Sequence, residues 1–181
     1  MRENIVLCGF MGCGKTTVGK RAAKLMKRKF CDLDHYIEEK AGMTVTEIFA
    51  QQGEEGFRRL ETEAVREVSK EGNMVVACGG GTVLRPENVA AFHENGALIL
   101  LLDVPLPVLQ ERLKNDTSRP LLQKPNRNQV IAELYRRRIS LYRRAADVTV
   151  RATAPFWIVA KKVAAVGGRM LEASAENREK S

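Results

Sequence analysis

The sequence predicts an α/β fold, a five-stranded parallel sheet with helices on both faces. Three observations carry that reading. Short apolar runs alternate with amphipathic helical stretches along the chain, and such alternation builds parallel sheets through βαβ crossovers. The first apolar run leads into Gly9-Phe10-Met11-Gly12-Cys13-Gly14-Lys15-Thr16-Thr17, the spacing G-x-x-x-x-G-K-[ST] of a phosphate-binding loop between a strand and a helix. The length, 181 residues, suits one domain with an ordinary core, spanning 1–181.

The first strand, over 4–8, contains Ile5-Val6-Leu7-Cys8, a continuous apolar run of the kind buried on both faces of a parallel sheet. A helix over 15–28 places Val18, Ala22, Leu25 and Met26 on one side and Lys20, Arg21, Lys24 and Lys27 on the other. Its N-terminus faces the loop and adds partial positive charge for an anion. The second strand covers 30–33 and a short helix 35–41. Thr44-Val45-Thr46-Glu47 is a capping box that opens a helix over 45–51. Phe57, Leu60, Ala64, Val65 and Val68 make the apolar stripe of the next, over 54–70. A third strand over 74–78 runs into Gly79-Gly80-Gly81-Thr82. Pro86 and Pro105 stand where helices over 86–93 and 105–114 begin, with a strand over 97–102 between them. A helix over 127–144, a strand over 148–151 and a helix over 156–170 complete the pattern. Residues 172–181 are polar and read as a disordered tail. Two stretches leave the sheet: 34–61, which puts short helices where one crossover helix would suffice, and 115–125, a polar loop with prolines of the length that often forms a lid.

The bulk properties narrow the function. Thirty Lys and Arg against 22 Asp and Glu give a net charge of +8. The densest basic cluster, Arg136, Arg137, Arg138, Arg143 and Arg144, has no interleaved aromatics and no nucleic-acid reader motif, so nucleic acid is not the expected partner. No apolar run is long enough to cross a membrane, and the first strand starts too early to leave room for a leader peptide. Cys8, Cys13, Cys31 and Cys78 show no C-x-x-C spacing and read as reduced thiols of a cytoplasmic protein. Cys13, inside the loop, reads as open to modification. A monomer is expected.

The loop names a nucleotide ligand. Its glycines let backbone N–H groups curl around phosphates, Lys15 reaches the β- and γ-phosphates and the Thr16 hydroxyl suits Mg²⁺. A dinucleotide fingerprint is excluded, because Thr17 stands where Gly12-x-Gly14 would need a third glycine. Phosphoryl transfer also needs a carboxylate for the metal, a group to orient the nucleophile and cations for the γ-phosphate. Asp32 and Asp34 lie at the carboxyl end of the second strand, where open sheets place ligands, and a spacing of two on a strand puts both on one face. The alternative for Asp34 is to cap the following helix. Asp103, ending an apolar strand, is a competing metal carboxylate, or a cap for the helix after Pro105. Three successive glycines at 79–81 are costly in a plain turn and suit close approach to a ligand. Arg58, Arg119 and Arg138 stand out by position, Arg119 inside the lid.

Taken together these pieces resemble the shikimate kinase family over nearly the whole chain. The resemblance rests on Gly9 through Gly19, Asp32-Leu33-Asp34, Ile48-Phe49 with Gly53 through Glu61, Gly79-Gly80-Gly81-Thr82-Val83, Arg119-Pro120-Leu121-Leu122 and Arg138-Ile139-Ser140-Leu141-Tyr142, in that order. It implies a P-loop kinase of the nucleoside-monophosphate-kinase type, with 34–61 as its substrate-binding helical segment and 112–125 as its lid, that phosphorylates the 3-hydroxyl of shikimate from Mg-ATP. Asp34, Arg58, Gly80, Gly81 and Arg138 would then bind shikimate, with Asp34 at the attacking hydroxyl and the two arginines on the carboxylate. Thr16 and Asp32 would hold Mg²⁺. Lys15 and Arg119 would face the transferring phosphate. Gly12, Cys13, Gly14, Lys15, Thr16 and Thr17 would cradle the phosphates, and Arg112 and Pro155, within the segment 151–155, would flank the adenine. Cys13 departs from the commoner serine or alanine, which a backbone-mediated role tolerates. The rivals are a gluconate or nucleoside-monophosphate kinase of the same fold and a non-catalytic nucleotide-dependent regulator. Phe57-Arg58 and the Arg138-x-x-x-Tyr142 spacing favour a small carboxylate over a base.

Overall fold

The structure, a computed structural model, describes residues 3–116 and 126–179. The part of the lid over 117–125, with Arg119, lies outside the described residues. Strands β1 (Ile5–Cys8), β2 (Lys29–Asp32), β3 (Met74–Ala77), β4 (Leu98–Asp103) and β5 (Val148–Arg151) form one sheet in the order β2-β3-β1-β4-β5. Every pairing is parallel. Helices α1 (Lys15–Leu25), α2 (Leu33–Ala41), α3 (Val45–Glu71), α4 (Pro86–Glu94), α5 (Leu106–Arg112), α6 (Arg127–Ala145) and α7 (Phe156–Glu179) cover it, with a 3₁₀ turn at Thr82–Leu84.

Burial follows strand position. β1, in the centre, is buried throughout, and so are β3 and the apolar run of β4. The edge strands β2 and β5 expose part of their residues. Helices α1 and α7 pack together, and α7 also lies on the sheet, where Gly167 is close enough to Ile5 that a Cβ would stand 2.5 Å from its Cδ1. No described helix is long and apolar enough to cross a membrane.

The register positions the functional end of the sheet. Leu7 is level with Ala77, and Ala77 with Asp32. The chain therefore leaves β1, β3 and β2 at one height, bringing the phosphate loop, the glycine turn and the Asp32–Asp34 segment to a common crevice. Ligands of open α/β sheets bind at this carboxyl edge, where the crossovers change direction.

Three elements differ from the sequence reading. The helices over 45–51 and 54–70 run together as α3, broken only at Gly53 (φ 67°, ψ −174°), a left-handed φ that glycine adopts without a Cβ penalty. The Thr44 capping box is present, with Glu47 N–H donating to Thr44 Oγ1 at 3.2 Å and Thr44 N–H to Glu47 Oε2 at 2.7 Å. Helix α2 begins at Leu33, directly after β2, so Asp34 is helical and the two aspartates do not share a strand face. Helix α7 continues to Glu179. The stretch from Glu172, read as a disordered tail, is helical that far because it holds the helix formers Ala and Glu and no Gly or Pro.

Candidate active site

The phosphate loop closes over the end of β1 with Gly9, Gly12 and Gly14 all at positive φ. Gly14 caps α1 in the left-handed region and supplies no side-chain acceptor. The first helical bond is Val18 N–H to Gly14 O at 2.9 Å, so the N–H groups of Lys15, Thr16 and Thr17 precede it and face the loop's interior as an anion cradle. Lys15 Nζ donates to the carbonyls of Gly9 (2.9 Å) and Phe10 (3.2 Å), holding the ammonium at the loop mouth.

The Cys13 side chain turns inward, where Lys15 Nζ stands 3.8 Å from its sulfur. It is 2% exposed, with Sγ 3.0 Å from where a Gly9 Cβ would be. This corrects the expectation of a thiol open to modification: the sulfur is buried in the core against Gly9, beside the Lys15 ammonium. All four cysteines are free. Burial raises the thiols of Cys8, to about 12, and Cys78 well above the ordinary range, which keeps them protonated.

Asp32 occupies the cap position of α2 without capping it. Its Oδ2 accepts from the Thr16 hydroxyl at 2.7 Å. These two oxygens are the pair expected to hold Mg²⁺. Among the described residues no group of three His, Cys, Asp or Glu could hold a metal by itself. The hydroxyl and carboxylate oxygens of Thr16 and Asp32 are hard donors of the type Mg²⁺ takes.

Asp34, one residue into α2, does not cap it either. Its Oδ1 is buried and has no hydrogen-bond partner. Burial first, then the charges of Asp32 and Glu61, raise its pKa from 3.8 to about 6. An unpartnered buried carboxylate oxygen is costly; this one packs against Gly79, and the aspartate lines the cavity shared by the loop and the glycine turn.

Arg58 comes from α3 beyond the Gly53 kink. Its Nη1 donates to Glu61 Oε2 at 2.8 Å, Glu54 stands 3.5 Å away, and the guanidinium lies over the Phe57 ring. Glu61 is fully buried, and its second oxygen accepts from the Thr82 hydroxyl at 2.7 Å. The glycine turn is shaped by these side chains and not by unusual dihedrals, since none of Gly79, Gly80 and Gly81 is at positive φ. A Cβ on Gly81 would stand 2.4 Å from Arg58 Nη1, and one on Gly79 would stand 2.6 Å from Asp34 Oδ1. The glycines leave room for the arginine and the aspartate.

One cavity of about 510 Å³ gathers the expected residues. Gly12, Gly14, Lys15, Thr16, Thr17, Asp32, Asp34, Arg58, Gly80, Gly81 and Arg138 all line it. Phe49 and Phe57, stacked at 4.8 Å, give it an apolar wall. Arg112 lies outside, donating to Gly12 O (3.5 Å) and Ala152 O (3.0 Å), so it ties the loop to the segment that ends at the exposed Pro155. Asp103 stays out of the cavity, 3.9 Å from Arg143 Nη2, and Pro105, not Asp103, occupies the cap of α5. Glu61 is a functional residue that the sequence does not mark. It sits three residues after Arg58, a spacing that on a helix reads as an exposed ion pair, and only its burial sets it apart.

With three cations, three carboxylates and an anion cradle, the cavity suits transfer of a phosphoryl group to a hydroxyl on a small anion. The comparisons agree. A family model described as "Shikimate kinase" matches residues 11–166. The chain is 47% identical to a shikimate kinase of Aromatoleum aromaticum, over 81% of this chain and 83% of that one. It is 45% identical to another from Thermodesulfovibrio yellowstonii, over 79% and 82%. Among solved structures it resembles shikimate kinase from Acinetobacter baumannii in complex with shikimate, with a TM-score of 0.81 and 34% identity over 98% of this chain and 95% of that one. A gluconokinase from Sinorhizobium meliloti shares the fold alone, with a TM-score of 0.63 at 17% identity over 97% of each chain.

Proposed function

The chain belongs to the shikimate kinase family, and from that membership we propose how its cavity transfers a phosphoryl group from ATP to the 3-hydroxyl of shikimate. The observation that carries the assignment of roles is Asp34, a carboxylate with a buried, unpartnered Oδ1 that lines the same cavity as the phosphate loop and the two arginines.

The loop N–H groups and Lys15 bind the β- and γ-phosphates, and the backbones of Gly12, Cys13, Gly14 and Thr17 complete the cradle. Thr16 and Asp32 are the residues that would hold Mg²⁺, which when bound neutralises charge developing between the phosphates. Arg58 and Arg138 clamp the substrate carboxylate, since a guanidinium offers two parallel donors where an ammonium offers a point charge. Glu61 keeps Arg58 in place. Asp34 accepts a hydrogen bond from the attacking hydroxyl and takes its proton as the new P–O bond forms, and its raised pKa suits a base working near neutrality. Gly80 and Gly81 border the substrate. Arg112 and Pro155 flank the adenine, and Arg119 closes with the lid over 112–125 to exclude water and stabilise the transferring group. The proposal includes a cytoplasmic monomer without a nucleic-acid or membrane partner, and the four free cysteines are those of a reducing compartment.

The test is ADP release with shikimate, gluconate, AMP and CMP as acceptors side by side. Turnover with shikimate well above the others is expected. Turnover with AMP and none with shikimate would overturn the proposal.

A further inference from the structure

Tyr142 is a buried titratable side chain to which the transfer chemistry assigns no part. It follows Arg138 by one turn of α6 and is 1% exposed. Its hydroxyl donates to Gly80 O at 2.5 Å, and the Arg138 guanidinium lies beside the same phenol. A Cβ on Gly80 would stand 3.8 Å from Arg138 Nη1 and 3.9 Å from Tyr142 Oη. Burial holds the phenol's pKa above its ordinary value, against the lowering effect of Lys15 and Arg138, so the hydroxyl remains a donor.

We propose that Tyr142 is a positioning residue for the substrate: its hydroxyl fixes the Gly80–Gly81 peptide plane so that the Gly81 N–H is presented to the cavity. The inference rests on the proposed function and deepens it.

A trans peptide is planar, and its C=O and N–H point in opposite directions. Gly80 C=O is held toward Tyr142, so the Gly81 N–H points away from it. Gly80 and Gly81 line the cavity and Tyr142 does not, so the direction away from Tyr142 is the cavity side. The other anchors of the turn act elsewhere. Thr82 N–H bonds Gly79 O at 3.4 Å, Leu84 N–H bonds Gly81 O at 3.0 Å, and Thr82 Oγ1 bonds Glu61. Among the described residues, only the Tyr142 bond restrains the Gly80–Gly81 peptide, and the Gly81 N–H has no protein acceptor. Three successive glycines rotate with little steric resistance, so this restraint decides which way the plane faces. Because the phenol also borders Arg138, it holds a backbone donor and a cation in one arrangement.

Tyr142→Phe keeps the ring and deletes the hydroxyl. We expect the KM for shikimate to rise about tenfold, with kcat and the KM for ATP within about twofold of the parent. In glycine-¹⁵N-labelled protein, the Gly81 amide should shift and exchange faster in the variant. A lowered melting temperature with unchanged KM would assign the hydroxyl to stability alone and overturn the proposal, as would equal rises in both KM values. Should the variant fail to fold, the parent decides: shikimate must shift the Gly81 amide and slow its exchange, and an unmoved amide overturns the proposal. Failure of the parent itself to phosphorylate shikimate would instead overturn the proposed function.

Discussion

Arg58 and Glu61 form an ion pair of 2.8 Å whose acidic partner is completely buried. The other Glu61 oxygen is taken by the Thr82 hydroxyl, so one carboxylate couples the substrate clamp on α3 to the glycine turn after β3. Breaking a buried pair leaves an uncompensated charge or an empty socket. Glu61→Ala should therefore lower stability by about 3 kcal/mol and raise the KM for shikimate far more than that for ATP. Urea unfolding and steady-state kinetics measure the two effects. An unchanged shikimate KM would detach Glu61 from the clamp.

Asp34 gives a pH signature with two opposite signs. Its pKa in the folded chain is about 6, above the ordinary 3.8, so kcat/KM should fall about tenfold per unit below pH 6 as the base becomes protonated. For stability, the fold favours the protonated form. The stabilisation is full below the unfolded pKa and is lost as pH rises through about 6. Asp34→Asn should thus be more stable than the parent at pH 7.5, by roughly 3 kcal/mol, with the difference shrinking toward pH 4. It should also lose turnover while still binding shikimate. Equal melting temperatures at pH 7.5 would contradict the assigned environment.

Gly81→Ala should be tolerated by the backbone, since φ −105° and ψ −15° suit any residue. Its Cβ would collide with the Arg58 guanidinium. The expected result is a folded protein whose shikimate KM rises at least tenfold, of order 1.4 kcal/mol, with ATP binding unchanged. Circular dichroism and kinetics test it, and parental kinetics would show that Arg58 does not work from this position.

Asp32→Asn should raise the Mg²⁺ concentration for half-maximal activity by about tenfold or more, because it removes the charged member of the Thr16–Asp32 oxygen pair. Titration of activity with Mg²⁺ at saturating ATP reads this directly. An unshifted midpoint would turn attention to another carboxylate.

Much of this molecule is legible from local sequence. The phosphate loop, the alternation of elements, the Thr44–Glu47 capping box and the proline-led start of α4 depend on neighbours in the chain, and the structure shows each of them. The misreadings have local causes too. Nothing in Asp32-Leu33-Asp34 marks the residue where β2 becomes α2. The Gly53 break could not announce that two helices would run together as one. Cys13 reads as a ligand-facing thiol because spacing places a residue in a loop without saying which way its side chain turns.

The sequence by itself determined the ligand class, the order of the elements and the residue types available for transfer, because motif spacing and hydrophobic period are properties of consecutive residues. The tertiary structure alone decided which residues cooperate. Strand register brings Leu7, Ala77 and Asp32 into one row, and helix packing buries Glu61 against Thr82 and Tyr142 against Gly80. Burial is the physical reason: it removes water as an alternative partner and makes a carboxylate 21 residues from Thr82, or a phenol 62 residues from Gly80, part of the site.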